Sequence, residues 1–136
     1  MKRKITYILS FFILTILFLT PSCLPDDDPI EEDLRDKYLG AWLCTESTSI
    51  SYTVTISKDP ANSTQILLNN FHHLGTDEDV FTLVAGNSLQ IITQNVCTGT
   101  MEVSGDAILE TPSRISFQYY VNDFADIDTI QAIYSK

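Results

Sequence analysis

From Tyr38 to the C-terminus, apolar and polar residues alternate with a period of two, the pattern of half-buried strands. Tyr38, Gly40, Trp42 and Cys44 share one phase of a first strand. Tyr52, Val54 and Ile56 alternate with Ser51, Thr53, Thr55 and Ser57 in the clearest strand of the chain. Lys58-Asp59-Pro60-Ala61-Asn62 has turn chemistry. Residues 65–71 form a third strand, ended by the Leu74–Glu78 segment, and residues 80–85 form a fourth. Gly86-Asn87 is a tight hairpin signal leading into residues 89–96. Cys97, Gly99, Met101 and Val103 then alternate with Thr98, Thr100, Glu102 and Ser104. Gly105-Asp106 reads as a turn into a short strand over 107–110. Beyond Pro112, Ile115, Phe117, Tyr119 and Val121 oppose Arg114, Ser116, Gln118 and Tyr120. An acidic loop over 122–128 precedes a last strand over 129–134.

This predicts an all-β domain of eight or nine short antiparallel strands, each with one buried and one wet face. A closed barrel and a two-sheet β-sandwich both manage the exposed edges. Hairpin-length turns favour an up-and-down meander, hence a small barrel. Ahead of it, Ile30, Leu34 and Tyr38 are spaced four apart, which predicts a short amphipathic helix over residues 29–37. Pro29 and the acids Glu31, Glu32 and Asp33 suit its first turn. The division of the chain is then residues 1–22, a tether and helix over 23–37, and a β domain over 38–136.

The first segment has another pattern altogether. Lys2, Arg3 and Lys4 precede an apolar run from Ile5 to Leu19, the layout of a secretory signal peptide. Pro21 stops the run short of the roughly 20 residues a spanning helix needs, leaving a one-pass membrane anchor as one alternative. The junction Leu19-Thr20-Pro21-Ser22-Cys23 resembles the lipobox of bacterial lipoproteins, with Thr20 where that family usually has Leu; an ordinary signal peptide is the other alternative to a lipoprotein leader. The resemblance implies cleavage before Cys23 and its diacylation, and several acyl chains on one residue are enough for a stable anchor. The acidic run Asp26-Asp27-Asp28, followed by Glu31, Glu32 and Asp33, resembles the export signal of Bacteroidota surface lipoproteins. It implies an outer-membrane, surface-exposed address. Carboxylates also keep a linker solvated and extended, whatever its address.

Removal of residues 1–22 takes away three cations and no acid, so the net charge of −10 becomes −13. Only Arg35, Lys37, Lys58, Arg114 and Lys136 remain, which excludes nucleic acid as a partner. With Cys23 lipidated, Cys44 and Cys97 are left as an even pair in an oxidising compartment, and a disulfide is expected. It would close a loop of about 50 residues, worth on the order of 4 kcal/mol. Two separate buried thiols are the alternative.

Gly40-Ala41-Trp42 resembles the Gly-x-Trp signature of lipocalins. The resemblance implies an eight-stranded barrel whose closed end is plugged by Trp42 beside a basic residue from a late strand, Arg114 or Lys136. So short a domain makes a shallow barrel, barely wider than the side chains inside it.

Catalytic chemistry is hard to find. His72 and His73 are adjacent, and neighbours on a strand face opposite ways; no zinc set completes them. No Gly-x-Ser-x-Gly elbow or phosphate loop occurs. Asp77-Glu78-Asp79 and the Asp123, Asp126, Asp128 group lack the spaced calcium-loop pattern. Phe117 and Tyr119 face inward, leaving Tyr120 alone outside, too little for a glycan platform. The expected function is a non-enzymatic, lipid-anchored binding or interaction domain without cofactor or metal, taking a small apolar ligand or a protein partner. An inhibitor of a basic hydrolase and a docking subunit of an outer-membrane complex are the alternatives.

Overall fold

The computed structural model describes residues 32–136; the leader, Cys23 and the acidic tether lie outside the described residues. The described part is an all-β, closed, eight-stranded antiparallel barrel. Its strands are β1 (Gly40–Glu46), β2 (Ser51–Lys58), β3 (Gln65–Asn69), β4 (Asp79–Ala85), β5 (Ser88–Val96), β6 (Met101–Thr111), β7 (Arg114–Asn122) and β8 (Ile127–Ser135). Every strand pairs with its chain neighbours, and β1 closes on β8 with Leu43 opposite Ser135 and Glu46 opposite Ala132. Closure leaves no unpaired strand edge, which removes the usual route to edge-to-edge association.

The barrel has two chemically distinct ends. At the entry end lie the start of β1, the connection 59–64 after β2, the tight turns after β4 and β6, and the end of β8. At the loop end lie the connections 47–50, 70–78, 97–100 and 123–126. The alternation holds in every well-formed strand. In β7 Ile115, Phe117, Tyr119 and Val121 are buried, and in β2 Tyr52, Val54 and Ile56 are. Side chains occupy the interior from Tyr38 at the entry end to Phe71 at the loop end.

Three local expectations are corrected. Gly105-Asp106 does not turn; it lies inside β6, so the strands number eight. Glycine is required there because a Cβ would come within 2.5 Å of Tyr119 Cβ and 2.6 Å of the Gln118 carbonyl oxygen. Second, Cys97–Gly99 and Phe71–His73 are 3-10 turns, not strand residues. Their backbones carry left-handed φ angles at His72, His73, Cys97 and Thr98, which no strand allows. Third, within the described part of the expected helix only Asp36–Tyr38 is helical, as one 3-10 turn. Asp33 diverts the chain, its carboxylate accepting from the backbone N–H of Arg35 at 3.0 Å and pairing with the Arg35 guanidinium. Tyr38 is fully buried, while Leu34 is exposed.

Candidate functional site

The entry end is a plug built from the first residues of the domain. Gly40 takes φ +106°, a conformation that favours glycine, as the chain passes from the Tyr38 turn into β1. Trp42 is fully buried, and its indole N–H donates to the Tyr38 carbonyl at 2.6 Å. The Tyr38 hydroxyl donates to the Gly86 carbonyl across the end at 2.9 Å, and burial pushes its pKa up to about 12. Of the two candidate basic partners, Lys136 lies over Trp42. Its Nζ is 4.1 Å from the ring centroid and donates to the Leu39 carbonyl at 2.7 Å. Partial burial holds its pKa below the ordinary lysine value. Arg114 instead pairs with Glu110 at 2.7 Å.

Arg35 fixes the incoming chain to this end. Its guanidinium donates to the carbonyls of Asp59, Asn62 and Gln65 in the turn after β2, while Lys58 reaches Asp33 at 2.9 Å. Lys37 donates to Asn87 at 2.7 Å in the next turn along. All five cations of the described residues therefore sit at the entry end. The loop end carries Asp77, Glu78, Asp79, Glu102, Asp123, Asp126 and Asp128 against no lysine or arginine.

The loop end also hides a polar cluster that pattern reading missed. Glu46 follows Trp42 and Cys44 in the inward phase of β1 and is only 4% exposed. Its Oε1 accepts from the Tyr52 hydroxyl and, at 2.7 Å, from the Tyr119 hydroxyl. Thr48 donates to Oε2 at 3.1 Å. His72 folds back over this carboxylate, its Nδ1 3.0 Å from Glu46 Oε1 and 3.1 Å from the Tyr119 oxygen. Burial alone would raise the Glu46 pKa. The hydroxyls of Tyr52 and Tyr119 and the His72 ring outweigh it and hold the carboxyl below its ordinary value. Phe71, packed on Tyr119 with ring centroids 4.6 Å apart, completes the lid. The signal was available: an acid in the buried phase of a strand must find donors. His73 turns the other way, onto the Tyr52 ring. Among the described residues no group of three His, Cys, Asp or Glu is placed to hold a metal.

Cys44 and Cys97 are free thiols, so the expected disulfide is not formed here. Cys44 faces the interior between its cross-strand partners Tyr52 and Tyr134, and burial pushes its pKa up to about 11. Cys97 opens the left-handed turn after β5 at the loop end, where its N–H donates to Glu78. One thiol is enclosed by the wall and the other stands in a connection. The acidic triplets likewise serve local structure. Asp79 accepts from Asn69, and Asp123 accepts from the N–H groups of Ala125 and Asp126, which lowers its pKa.

No family model matches the chain, and no curated protein matches it at a significant level. Among solved structures it is similar to a redesigned β-barrel, at 11% identity with a TM-score of 0.48 over 76% of this chain and 95% of that one. It is also similar to mFAP2b bound to DFHBI, at 10% identity with a TM-score of 0.45 over 76% and 98% of the two chains.

Proposed function

We propose that this chain is a non-enzymatic binding or interaction domain, tethered by a lipid on Cys23 to the outer membrane and displayed on the cell surface. The observation that carries the reading is the division of labour between the ends. The residues leading into β1 are tied down at the entry end by Arg35 and Lys58, while the connections 47–50, 70–78, 97–100 and 123–126 lie at the opposite end of the barrel. A small apolar ligand inside the barrel would have to displace packed side chains, from Trp42 to Phe71. Recognition is therefore assigned to the outside. The chemistry of the Glu46 cluster fits a structural role, since its carboxylate accepts from three hydroxyls, lies against the His72 ring and is largely closed to solvent.

The test is fractionation of cells producing the full chain. Wild type should sediment with membranes, incorporate labelled palmitate and be shaved from intact cells by protease. Cys23→Ser should abolish label and release the protein. Retention of that variant in membranes would mean an uncleaved apolar segment and would sink the anchor. A second reading, inhibition of a basic hydrolase, is favoured by the loop end having acids and no lysine or arginine. It requires slowing of a lysozyme at low salt and loss of that effect when Asp123, Asp126 and Asp128 are changed to Asn.

A further inference from the structure

On the outer wall, β1, β6, β7 and β8 line a shallow, solvent-open groove of about 600 Å³. Cross-strand register decides what lines it. Asp106 lies opposite Gln118, and Gln118 opposite Gln131, so three planar polar side chains form one row across three strands. The next row on the same face is Ile108, Ser116 and Ile133. On the other side of the polar row stands Tyr120, 40% exposed, whose hydroxyl accepts from the Gln118 amide at 3.2 Å. The polar row is thus bordered by Ile108 and Ile133 on one side and by the hydroxyl-bearing Ser104, Tyr120 and Thr129 on the other.

We propose that this groove binds a neutral glycan, a deepening that rests on the reading of the chain as a binding domain. The two amides each offer donors and an acceptor, and Asp106 offers two acceptors, which matches adjacent sugar hydroxyls. Ile108 and Ile133 match the C–H face of a pyranose, so the sugar contact rests on them and the polar row; the lone outward ring of Tyr120 lies outside the groove lining. No lysine or arginine lines the groove, so phosphate, sulfate and uronate groups find no counter-charge. An extended peptide finds no strand edge to pair with, because the barrel is closed.

The experiment is native affinity electrophoresis of the detergent-solubilised full chain through gels containing dextran, laminarin, xylan or the anionic polymer alginate. At least one neutral polymer should retard the protein, and alginate should not. The double variant Gln118→Ala, Gln131→Ala should weaken that retardation at least tenfold, and Asp106→Asn should weaken it as well. All three side chains are exposed, so an unchanged thermal midpoint will show that the variants are folded. Absence of retardation by every neutral polymer, equal retardation by alginate, or retardation that survives the double variant would each overturn the proposal. Membrane attachment of the same samples is read separately, so failure of the groove and failure of the anchor are distinguishable.

Discussion

Replacing Glu46 tests the energetics of the loop end directly. In Glu46→Ala the hydroxyls of Tyr52 and Tyr119 lose the oxygen they share, inside a region closed to water. Each stranded group costs about 1–3 kcal/mol, so a total loss of about 3–5 kcal/mol is expected. Glu46→Gln keeps a carbonyl acceptor but exchanges charged hydrogen bonds for neutral ones, for a loss of about 1–2 kcal/mol. Urea unfolding at pH 7 followed by tryptophan fluorescence reads both, since Trp42 is the chain's one tryptophan. With a slope of about 2 kcal/mol per molar urea, the alanine variant should unfold about 2 M earlier. The pH dependence supplies the decisive control. Because the folded carboxyl titrates below its ordinary value, its stabilisation is complete above the unfolded pKa near 4.3. It disappears as pH falls through the lower folded value. The gap between wild type and Glu46→Gln should therefore close on acidification below about pH 4. A glutamine variant as stable as wild type at pH 7, or a gap unchanged down to pH 2, would refute the reasoning.

Other expectations follow from single contacts. Gly105→Ala should lose about 1–3 kcal/mol or fail to fold, because its Cβ would strike the β7 backbone; calorimetry of the variant checks this. Lys136→Met should lower the thermal midpoint through loss of the Trp42 contact and the Leu39 hydrogen bond, about 1–2 kcal/mol together, whereas Lys136→Arg should recover part of it. Thiol titration of a Cys23→Ser chain should find Cys97 reactive when folded and Cys44 only in denaturant. Two unreactive thiols in denaturant without reductant would restore the disulfide.

Much of this barrel is legible from residue types, because a strand's inside and outside differ in a way that a period of two records. The hairpin at Gly86 and the burial of Ile115, Phe117, Tyr119 and Val121 are examples. Three features escape such reading. Gly105 looks like punctuation, yet it is glycine because another strand passes against it, a fact that belongs to the register of β6 on β7. His72 reaches Glu46 only because the chain adopts left-handed angles at Asn70, His72 and His73. The row formed by Asp106, Gln118 and Gln131 exists only once strands are aligned. Glu46 is different. It sits in the inward phase of β1 beside Trp42 and Cys44, and its burial was open to inference from the sequence.

The gathering of the five cations at the entry end has a mechanical consequence. There they meet acids such as Asp33, Asp36, Asp59 and Glu110 and are roughly neutralised, whereas the far end carries uncompensated negative charge. The described barrel is thus polarised along its axis, and under the anchoring proposed above it would act as an electric lever held at its less charged end. Beside an anionic bilayer, repulsion would act on the acidic end and swing the barrel upright. Screening confines this torque to within about 8 Å of the surface at physiological ionic strength. The lever would therefore set posture only when the domain leans close, keeping its acidic connections turned toward the medium.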